Sequence, residues 1–254
     1  MDYDRLRPGP SPEAVDWLLP ARRAVVVDLG AGTGLLSRAL AGKAGHIIAV
    51  EPDERMRSVL QDRSPGVEVL AGRGEAIPLP DGSADAVLVS SAWHWMDPVL
   101  AVPEIGRVLR DHGRFGLLWS SRDRSAYWIR AEEWFRTEDR HPTDNPASTA
   151  DPAERAGPAP RRTTMEWDGQ RVPIPDPGLF ENIETEVFRF SRWMTPSDLA
   201  DMLTTYSRII TAAPDVRAAG RARAAAALAA EFPGASEIEV PMRSRCWRAD
   251  RVPR

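Results

Sequence analysis

The sequence predicts an α/β fold: a doubly wound, mostly parallel sheet of seven strands between helix layers, with an inserted helical lid. From Val25 onward, short β-branched runs alternate with segments of helical periodicity, which is the order of a parallel sheet with crossover helices. The run VVVDLGAGTG, from Val25 to Gly34, joins a buried strand to a helix through a glycine-rich turn. Such turns lie where sheets of this class bind their ligands.

The elements of the first half follow in order. Pro12–Leu19 has the apolar spacing of a short helix, and Pro20 ends it. After the glycine-rich turn, a second helix is predicted around Leu36 and Leu40. Apolar runs bounded by turn residues predict strands that begin at Val25 and that cover His46–Val50, Val67–Ala71, Asp85–Ser90 and Arg114–Ser120.

Capping residues mark two later helices. Asp97 followed by Pro98 is a typical helix start, because an aspartate caps free N–H groups and proline fits the first helical position. This helix is predicted to end at His112-Gly113. Thr195 precedes a second capped helix. The C-terminal half is completed by a predicted helix over Pro214–Ala230 and predicted strands over Glu184–Phe190 and Glu237–Trp247.

The segment 121–183 differs in pattern from the rest. Trp128, Ile129, Trp134 and Phe135 have helical spacing, and a proline- and alanine-rich stretch from Asp139 to Pro160 follows them. We expect this insertion to be a helical lid that covers the site and selects an apolar acceptor.

Composition limits the function classes. The 254 residues carry a formal net charge of −4 at a pI near 5.7, which argues against a nucleic-acid partner. The start has no apolar core of a secretory signal, no apolar run approaches the roughly 20 residues that span a bilayer, and Cys246 is the single cysteine. We therefore expect a cytoplasmic protein, a monomer or homodimer, with no membrane partner. The scattered histidines predict no metal site: His46, His94, His112 and His141.

The glycine spacing is informative about the ligand. The three glycines of the turn are spaced GxGxG, whereas the dinucleotide fingerprint is GxGxxG, and no P-loop Lys-Ser/Thr follows. The run DLGAGTG resembles the first motif of class I S-adenosylmethionine-dependent methyltransferases. A carboxylate beside the turn suits the ammonium and sulfonium of that cofactor. The resemblance implies cofactor contacts by Asp28, Gly30, Ala31, Gly32, Thr33 and Gly34.

An acid ends the second predicted strand. Glu51 lies about 20 residues after Gly30, the spacing at which a carboxylate accepts both ribose hydroxyls of a bound nucleotide. Pro52 and Met56 follow it and belong to the predicted cofactor site. Met56 is predicted either to pack on the face of the adenine ring or to lie in the core. These residues extend the predicted cofactor site to the second strand.

The segment from Gly72 to Asp85 also resembles the methyltransferase family, whose version commonly reads G-D-A-E-x-L-P-F-P-D-x-S-F-D. The resemblance implies that Gly74 and Glu75 lie at the cofactor, with bracing of the loop as the other role open to Glu75. Arg73 stands where the family has an acid that receives the adenine amino group. Since arginine cannot accept a hydrogen bond, the adenine must be recognised by backbone around Gly74 or in some other way.

The fourth predicted strand leads from Ser90, itself a predicted cofactor contact, into Trp93-His94-Trp95. We expect the switch point of the sheet, where ligands bind, between the first and fourth strands. This segment should therefore border the transferred methyl group. His94 is the predicted catalytic base, because free histidine has a pKa of about 6.5. The alternative is that it only packs between the tryptophans or hydrogen-bonds the cofactor. Predicted acceptor-pocket residues are Trp93, Trp95 and Trp128.

The resemblance extends over nearly the whole chain. The ending P-x-R-x-R-C-W-R-A is similar to the trans-aconitate methyltransferase-like branch with a methyltransferase type 11 domain, whose opening motif places Tyr3 and Arg7 near the cofactor carboxylate. The resemblance implies a single domain over 1–254. Residues 1–120 form its cofactor-binding half, 121–183 the lid, and 184–254 the strands and helices that complete the sheet.

The function expected from this resemblance is methyl transfer from S-adenosylmethionine to a small organic molecule, at a carboxylate or hydroxyl oxygen, with S-adenosylhomocysteine as product. Two alternatives remain open at this point. One is a sensor or scaffold that binds the cofactor without transferring its methyl group, which Arg73 and the short N-terminal segment favour. The other is an NAD-dependent dehydrogenase, which the glycine spacing disfavours.

Overall fold

The computed structural model describes residues 6–7, 9–123, 162–167, 170–175, 178–204 and 212–254, with backbone alone for 162–167 and 170–175. The chain divides into two compact units. The larger unit is drawn from Pro8–Ser121, Ala159–Arg189 and Arg243–Arg254, and the smaller from Met1–Arg7, Arg122–Pro158 and Phe190–Met242. The predicted division at 120 and 183 stays a prediction.

Seven strands of the described residues form one mostly parallel sheet. They are β1 (Val25–Leu29), β2 (His46–Glu51), β3 (Glu68–Ala71), β4 (Ala84–Ser90), β5 (Leu109–Arg122), β8 (Phe180–Met194) and β9 (Ile238–Arg251). Their order in the sheet is β3-β2-β1-β4-β5-β9-β8, which confirms the predicted fold class. The strands β6 (Arg162–Trp167) and β7 (Gln170–Pro175) form a separate antiparallel pair inside the predicted lid segment.

The switch point lies where the sequence predicts it. Strand β1 pairs in parallel with β2 on one side and with β4 on the other, so successive crossovers leave in opposite directions. Strands β2 and β3 are also parallel, as are β4 and β5. The carboxyl ends of β1 to β4 therefore meet at one edge of the sheet.

The described helices begin at recognisable caps. They are α1 (Pro12–Leu18), α2 (Leu35–Ala39), α3 (Glu54–Arg63), α4 (Pro98–Val108), α5 (Pro196–Leu203) and α6 (Pro214–Glu231), with a 3₁₀ turn at Trp93–Trp95. The Asp97 carboxylate accepts from the Val99 N–H, and the Thr195 hydroxyl accepts from the Asp198 N–H. Both predicted caps are therefore confirmed.

One predicted boundary is wrong. Helix α4 ends at Val108, not at His112-Gly113, because Leu109 already pairs with Ala84 as the first residue of β5. The φ angle of His112 is +60°, which a right-handed helix does not allow. Burial of the Leu109 side chain in the core favours the strand over another helical turn.

Both faces of the sheet in the larger unit are covered. Val27 and Leu29 of β1 belong to a cluster that contains Phe115 and Trp247, while Val26, directly before Val27, belongs to a second cluster with Leu18. Alternate residues of a strand point to opposite faces, so each cluster covers one face. This is the layering of a parallel sheet between helices.

The smaller unit has an apolar core of its own. Helix α5 buries Leu199 and Met202, which pack with Leu228 of α6 and Val240. An ion pair between Arg221 and Asp201 also joins α6 to α5. Among the described helices, none has the combination of length and apolar character that spanning a bilayer requires.

Candidate active site

The glycine-rich turn after β1 is held in place by its own backbone. The N–H groups of Gly30 and Ala31 both donate to the Val50 carbonyl of β2, over 2.8 and 3.2 Å. Gly30, Gly32 and Gly34 have φ angles of +71°, +57° and +87°, a region that favours glycine. The turn is therefore anchored to β2 by backbone hydrogen bonds, and its backbone conformation favours glycine at all three positions.

The open side of this turn is at Gly32. A Cβ atom added to Gly30 would lie 2.7 Å from the Ala92 Cβ, which is too close, whereas one added to Gly32 would lie 3.8 Å from the Met56 sulfur, an ordinary contact. Met56 itself is 39% exposed. A ligand can therefore approach the backbone at Gly32 beside an exposed thioether, and contact of Met56 with the adenine stays a prediction.

Glu51, the last residue of β2, lies directly across from this turn. The residue is 6% exposed, and both carboxylate oxygens are oriented by backbone: Gly32 N–H donates to Oε2 over 2.8 Å and Asp53 N–H to Oε1 over 2.9 Å. Arg57 Nη1 donates to the carbonyls of Glu51 and Pro52. Each carboxylate oxygen has further acceptor capacity, so this preoriented acid can accept hydroxyl groups as well.

Asp28 lies beneath the turn and is completely buried. Ser37 Oγ donates to its Oδ2 over 2.6 Å, which fixes the first turns of α2, while Oδ1 has no hydrogen-bond partner in the described structure. Burial raises the pKa of Asp28 to about 6, against the effect of the Ser37 hydrogen bond, and the Glu51 charge adds to the rise. Because Asp28 has no exposed surface, its carboxylate acts on a ligand above the turn through its charge, and a direct cofactor contact stays a prediction.

Met96 connects the loops after β1 and β3, and sequence reasoning missed it. A Cβ on Gly74 would lie 2.6 Å from the Met96 sulfur, and one on Gly30 would lie 3.1 Å from its methyl carbon. Glu75 Oε1 accepts from the Asp97 N–H over 2.7 Å, so Glu75 braces the start of α4. The sequence did contain a signal for Met96, because it is an apolar residue directly before the helix-capping Asp97.

The segment after β4 separates two neighbouring tryptophans. Ser90 is half-buried at the end of the strand, and Ser91 turns the chain with φ +55°. Trp93 is only 2% exposed and packs on Phe115, with 5.5 Å between ring centroids. This burial corrects the expectation that Trp93 lines the acceptor pocket, because a core side chain presents no surface to a substrate.

His94 and Trp95 face outward. Trp95 is 76% exposed and His94 is also exposed, and their ring centroids are 5.0 Å apart. Both lie on the 3₁₀ turn immediately beyond β4, at the same edge of the sheet as the glycine-rich turn. The arrangement places one proton-accepting ring and one large apolar ring at this edge.

The described structure does not test three of the predicted site residues. Tyr3 and Trp128 lie outside the described residues. Arg7 belongs to the smaller unit, where its carbonyl accepts from Arg192 Nη1 over 3.1 Å. Cofactor contacts by Tyr3 and Arg7 and an acceptor contact by Trp128 therefore stay predictions.

Comparison with known proteins is consistent with this geometry. Residues 27–117 match the family model described as a methyltransferase domain. An uncharacterized methyltransferase of Mycobacterium tuberculosis is 38% identical over 215 residues, which are 85% of this chain and 77% of that protein. A malonyl-[acyl-carrier protein] O-methyltransferase of Methylococcus capsulatus is 37% identical over 37% of this chain and 36% of its own length.

A solved structure shows the same fold. It belongs to a protein of Anaeromyxobacter dehalogenans proposed to be a type II methyltransferase, with a TM-score of 0.63, 21% identity, and coverage of 98% of this chain and 99% of that one. The assignment to the trans-aconitate branch stays a prediction. The sheet order, the glycine-rich turn with its acid, and the extended match to the mycobacterial protein together show that this chain belongs to the class I S-adenosylmethionine-dependent methyltransferase family.

Proposed function

We propose that this methyltransferase methylates an oxygen atom of a small organic molecule, either a hydroxyl or a carboxylate. The observation that carries the proposal is the pair of exposed rings, His94 and Trp95, directly beyond the carboxyl end of β4. A hydroxyl acceptor needs a base, which His94 supplies, and Trp95 supplies apolar surface for the body of the acceptor. A carboxylate acceptor uses the same surface without the base.

The residues at the edge of the sheet fit S-adenosylmethionine. Gly32 offers backbone without a side chain, Glu51 offers two oriented oxygens, and Asp28 has a buried oxygen without a partner. Carboxylates accept hydroxyl protons and attract cations, and the cofactor carries a ribose diol, an ammonium and a sulfonium. When bound, it supplies an electrophilic methyl group on the sulfonium sulfur.

The protein's own contribution is positioning and proton removal. Glu51 holds the ribose, the Asp28 carboxylate contributes negative charge beneath the turn, and Met56 packs against the nucleoside. An imidazole nitrogen of His94 accepts the proton of an acceptor hydroxyl as the oxygen attacks in line. Most of the rate gain comes from orientation of the reacting atoms, because methyl transfer needs no covalent protein intermediate.

Two further considerations support the oxygen acceptor. The Methylococcus relative is named for methylating an oxygen, although its similarity covers about a third of each chain. In addition, the net charge of −4 disfavours a polyanionic acceptor. These considerations favour a small acid, phenol or alcohol over a nucleic acid.

The test uses the full chain with methyl-labelled S-adenosylmethionine and a panel of small carboxylic acids, phenols and amines. Turnover on an acid or phenol is the expected result, with binding of S-adenosylhomocysteine measured separately by calorimetry. For a phenol, His94→Gln should lower kcat by about 100-fold or more. His46→Gln, an exposed histidine at the opposite end of the sheet, is the matched control. Methylation of amines alone, or cofactor binding without turnover on any acceptor, would overturn the proposal.

A further inference from the structure

We infer that Trp95, Val99 and Leu100 form an apolar subsite beside the methyl-transfer site, and that this subsite holds an unbranched alkyl tail of the acceptor. The acceptor then has one polar head, which carries the reacting oxygen, and a tail of several methylene groups. This inference rests on the proposed function, since it extends the surface assigned to Trp95. It adds a substrate class to that function and disfavours acceptors with several charged groups.

Exposed apolar side chains are concentrated at this edge of the sheet. Among the residues that the structure describes, seven large apolar side chains are exposed, and four of them lie beyond the carboxyl ends of β2 and β4: Met56, Trp95, Val99 and Leu100. Val99 and Leu100 are 62 and 54% exposed. Single exposed apolar residues are common on protein surfaces, whereas a group of them in one place marks a binding surface.

The fold does not use Val99 and Leu100 as core residues. Helix α4 packs on the sheet through a buried stripe that includes Val102 and Ile105. Val99 and Leu100 lie outside this stripe, in the first turn of the helix. Because the Cα–Cβ bonds of a helix tilt toward its N-terminus, both side chains lean toward the edge of the sheet that carries the glycine-rich turn.

The residues directly beside this surface pack on the two loops that border the cofactor site. Met96 follows Trp95 in the chain. Its methyl carbon would lie 3.1 Å from a Cβ on Gly30, and its sulfur 2.6 Å from a Cβ on Gly74. The Ala101 Cβ, in α4, would lie 3.5 Å from the same position on Gly74. The exposed apolar side chains therefore lie at the rim of the site.

Hydrogen bonds fix the backbone of this surface before a ligand binds. The Asp97 carboxylate accepts from the Val99 N–H over 2.9 Å, and the Asp97 carbonyl accepts from the Leu100 N–H over 3.1 Å. The Asp97 N–H in turn donates to Glu75. A preformed surface loses little conformational freedom on binding, so more of the apolar contact is converted into affinity.

The same stretch of chain offers no partner for a second charged group of the acceptor. From Ser91 to Pro103 the sequence contains no lysine or arginine, and its one acid, Asp97, is engaged as the cap of α4. An acceptor with several carboxylates would lose hydration beside Trp95 and Val99 without a compensating ion pair. An alkyl chain at that place removes apolar surface from water and gains affinity.

The experiment measures dissociation constants of unbranched carboxylic acids and 4-alkylphenols of increasing tail length. Calorimetry is done with the full chain saturated with S-adenosylhomocysteine. Affinity should rise by about twofold per added methylene, roughly half the gain for its full burial. The double variant Val99→Thr/Leu100→Asn should bind the longest members about fivefold more weakly and the shortest members with unchanged affinity. Methylation of the same compounds is measured in parallel with labelled S-adenosylmethionine.

The matched control is Val187→Thr/Ile183→Asn, which exchanges the same kinds of side chain at exposed positions of the edge strand β8. It should leave affinity unchanged for every tail length. Methylation with an affinity that does not depend on tail length would overturn this inference alone, as would a double variant at Val99 and Leu100 that equals the unaltered protein across the series.

The remaining outcomes separate the subsite from the proposed function and from other occupants. Binding that depends on tail length without methylation of any member would overturn the proposed function and leave the subsite supported. Binding of no member would overturn both. Sedimentation velocity of the unaltered protein and of Val99→Thr/Leu100→Asn tests a second copy of the chain as the occupant. Loss of a dimer in this variant would assign the surface to that copy and overturn the inference.

Discussion

The backbone N–H of Gly32 donates to Glu51 Oε2 over 2.8 Å, and this bond joins the turn after β1 to the end of β2. It orients a nearly buried carboxylate toward the open side of the turn before any ligand binds. A group that is already oriented loses little conformational freedom on binding. The same bond also satisfies the backbone donor of Gly32 within the turn.

Replacing Glu51 by glutamine should weaken binding of S-adenosylhomocysteine by about 10- to 100-fold, the value of a hydrogen bond to a charged group. A glutamine amide has one oxygen, so either the Gly32 or the Asp53 N–H would face another donor. The measurement is calorimetry, with circular dichroism to confirm folding. Glu54→Gln, an exposed acid in the first turn of α3, is the control and should leave affinity unchanged. Equal affinity of both variants would contradict the assigned role of Glu51.

Alanine substitutions at two glycines of the same turn should differ in their cost. Gly32→Ala should lower the free energy of unfolding by about 1–2 kcal/mol through its positive φ alone, because its Cβ has ordinary contacts. Gly30→Ala should cost about 1–3 kcal/mol more, because its Cβ would approach the Ala92 Cβ to 2.7 Å. Urea denaturation measures both values. The packing argument fails if Gly32→Ala proves the more destabilising of the two.

Asp28 should make stability depend on pH. Its pKa of about 6 in the fold is above 3.8, the ordinary value for an aspartate, so the folded state binds more protons between about pH 4 and 6. Stability is therefore lost as the pH rises through that window, by about 3 kcal/mol for two pKa units. Asp28→Asn removes this loss while an amide oxygen can still accept from Ser37.

The comparison of Asp28→Asn with the unaltered protein isolates this effect from other titrating groups. The difference in free energy of unfolding should be small near pH 4 and should rise to about 2–3 kcal/mol in favour of the variant by pH 7. Urea midpoints at several pH values provide the measurement. A difference that stays constant with pH would show that burial does not raise the pKa of this carboxyl.

The two tryptophans beyond β4 should behave oppositely. Trp93→Ala should lower the free energy of unfolding by about 3–5 kcal/mol, since it empties a core position against Phe115. Trp95→Ala should change stability by about 0.5 kcal/mol or less, because its side chain is 76% exposed. The Trp95 variant should instead raise KM for an acceptor identified by the panel. An unchanged KM would remove Trp95 from the acceptor surface.

Several features of the site follow from local sequence. A glycine can be predicted where the chain must turn with positive φ, and the Asp97 and Thr195 caps follow from residue type and position. The end of α4 could not be predicted in this way. Periodicity continues past Val108, and only pairing of Leu109 with Ala84 converts the next residues into strand.

By itself, the sequence determined the alternation of strands and helices, the glycine-rich turn and the spacing to Glu51, because these depend on short-range backbone preferences. Tertiary structure alone decided that Gly32 binds Glu51, that Asp28 is buried against Ser37, and that Met96 lies between two glycines. It also buried Trp93 while leaving Trp95 exposed. The physical reason is that burial and hydrogen bonding depend on partners distant in the chain, and those partners are set by how the strands are ordered and packed.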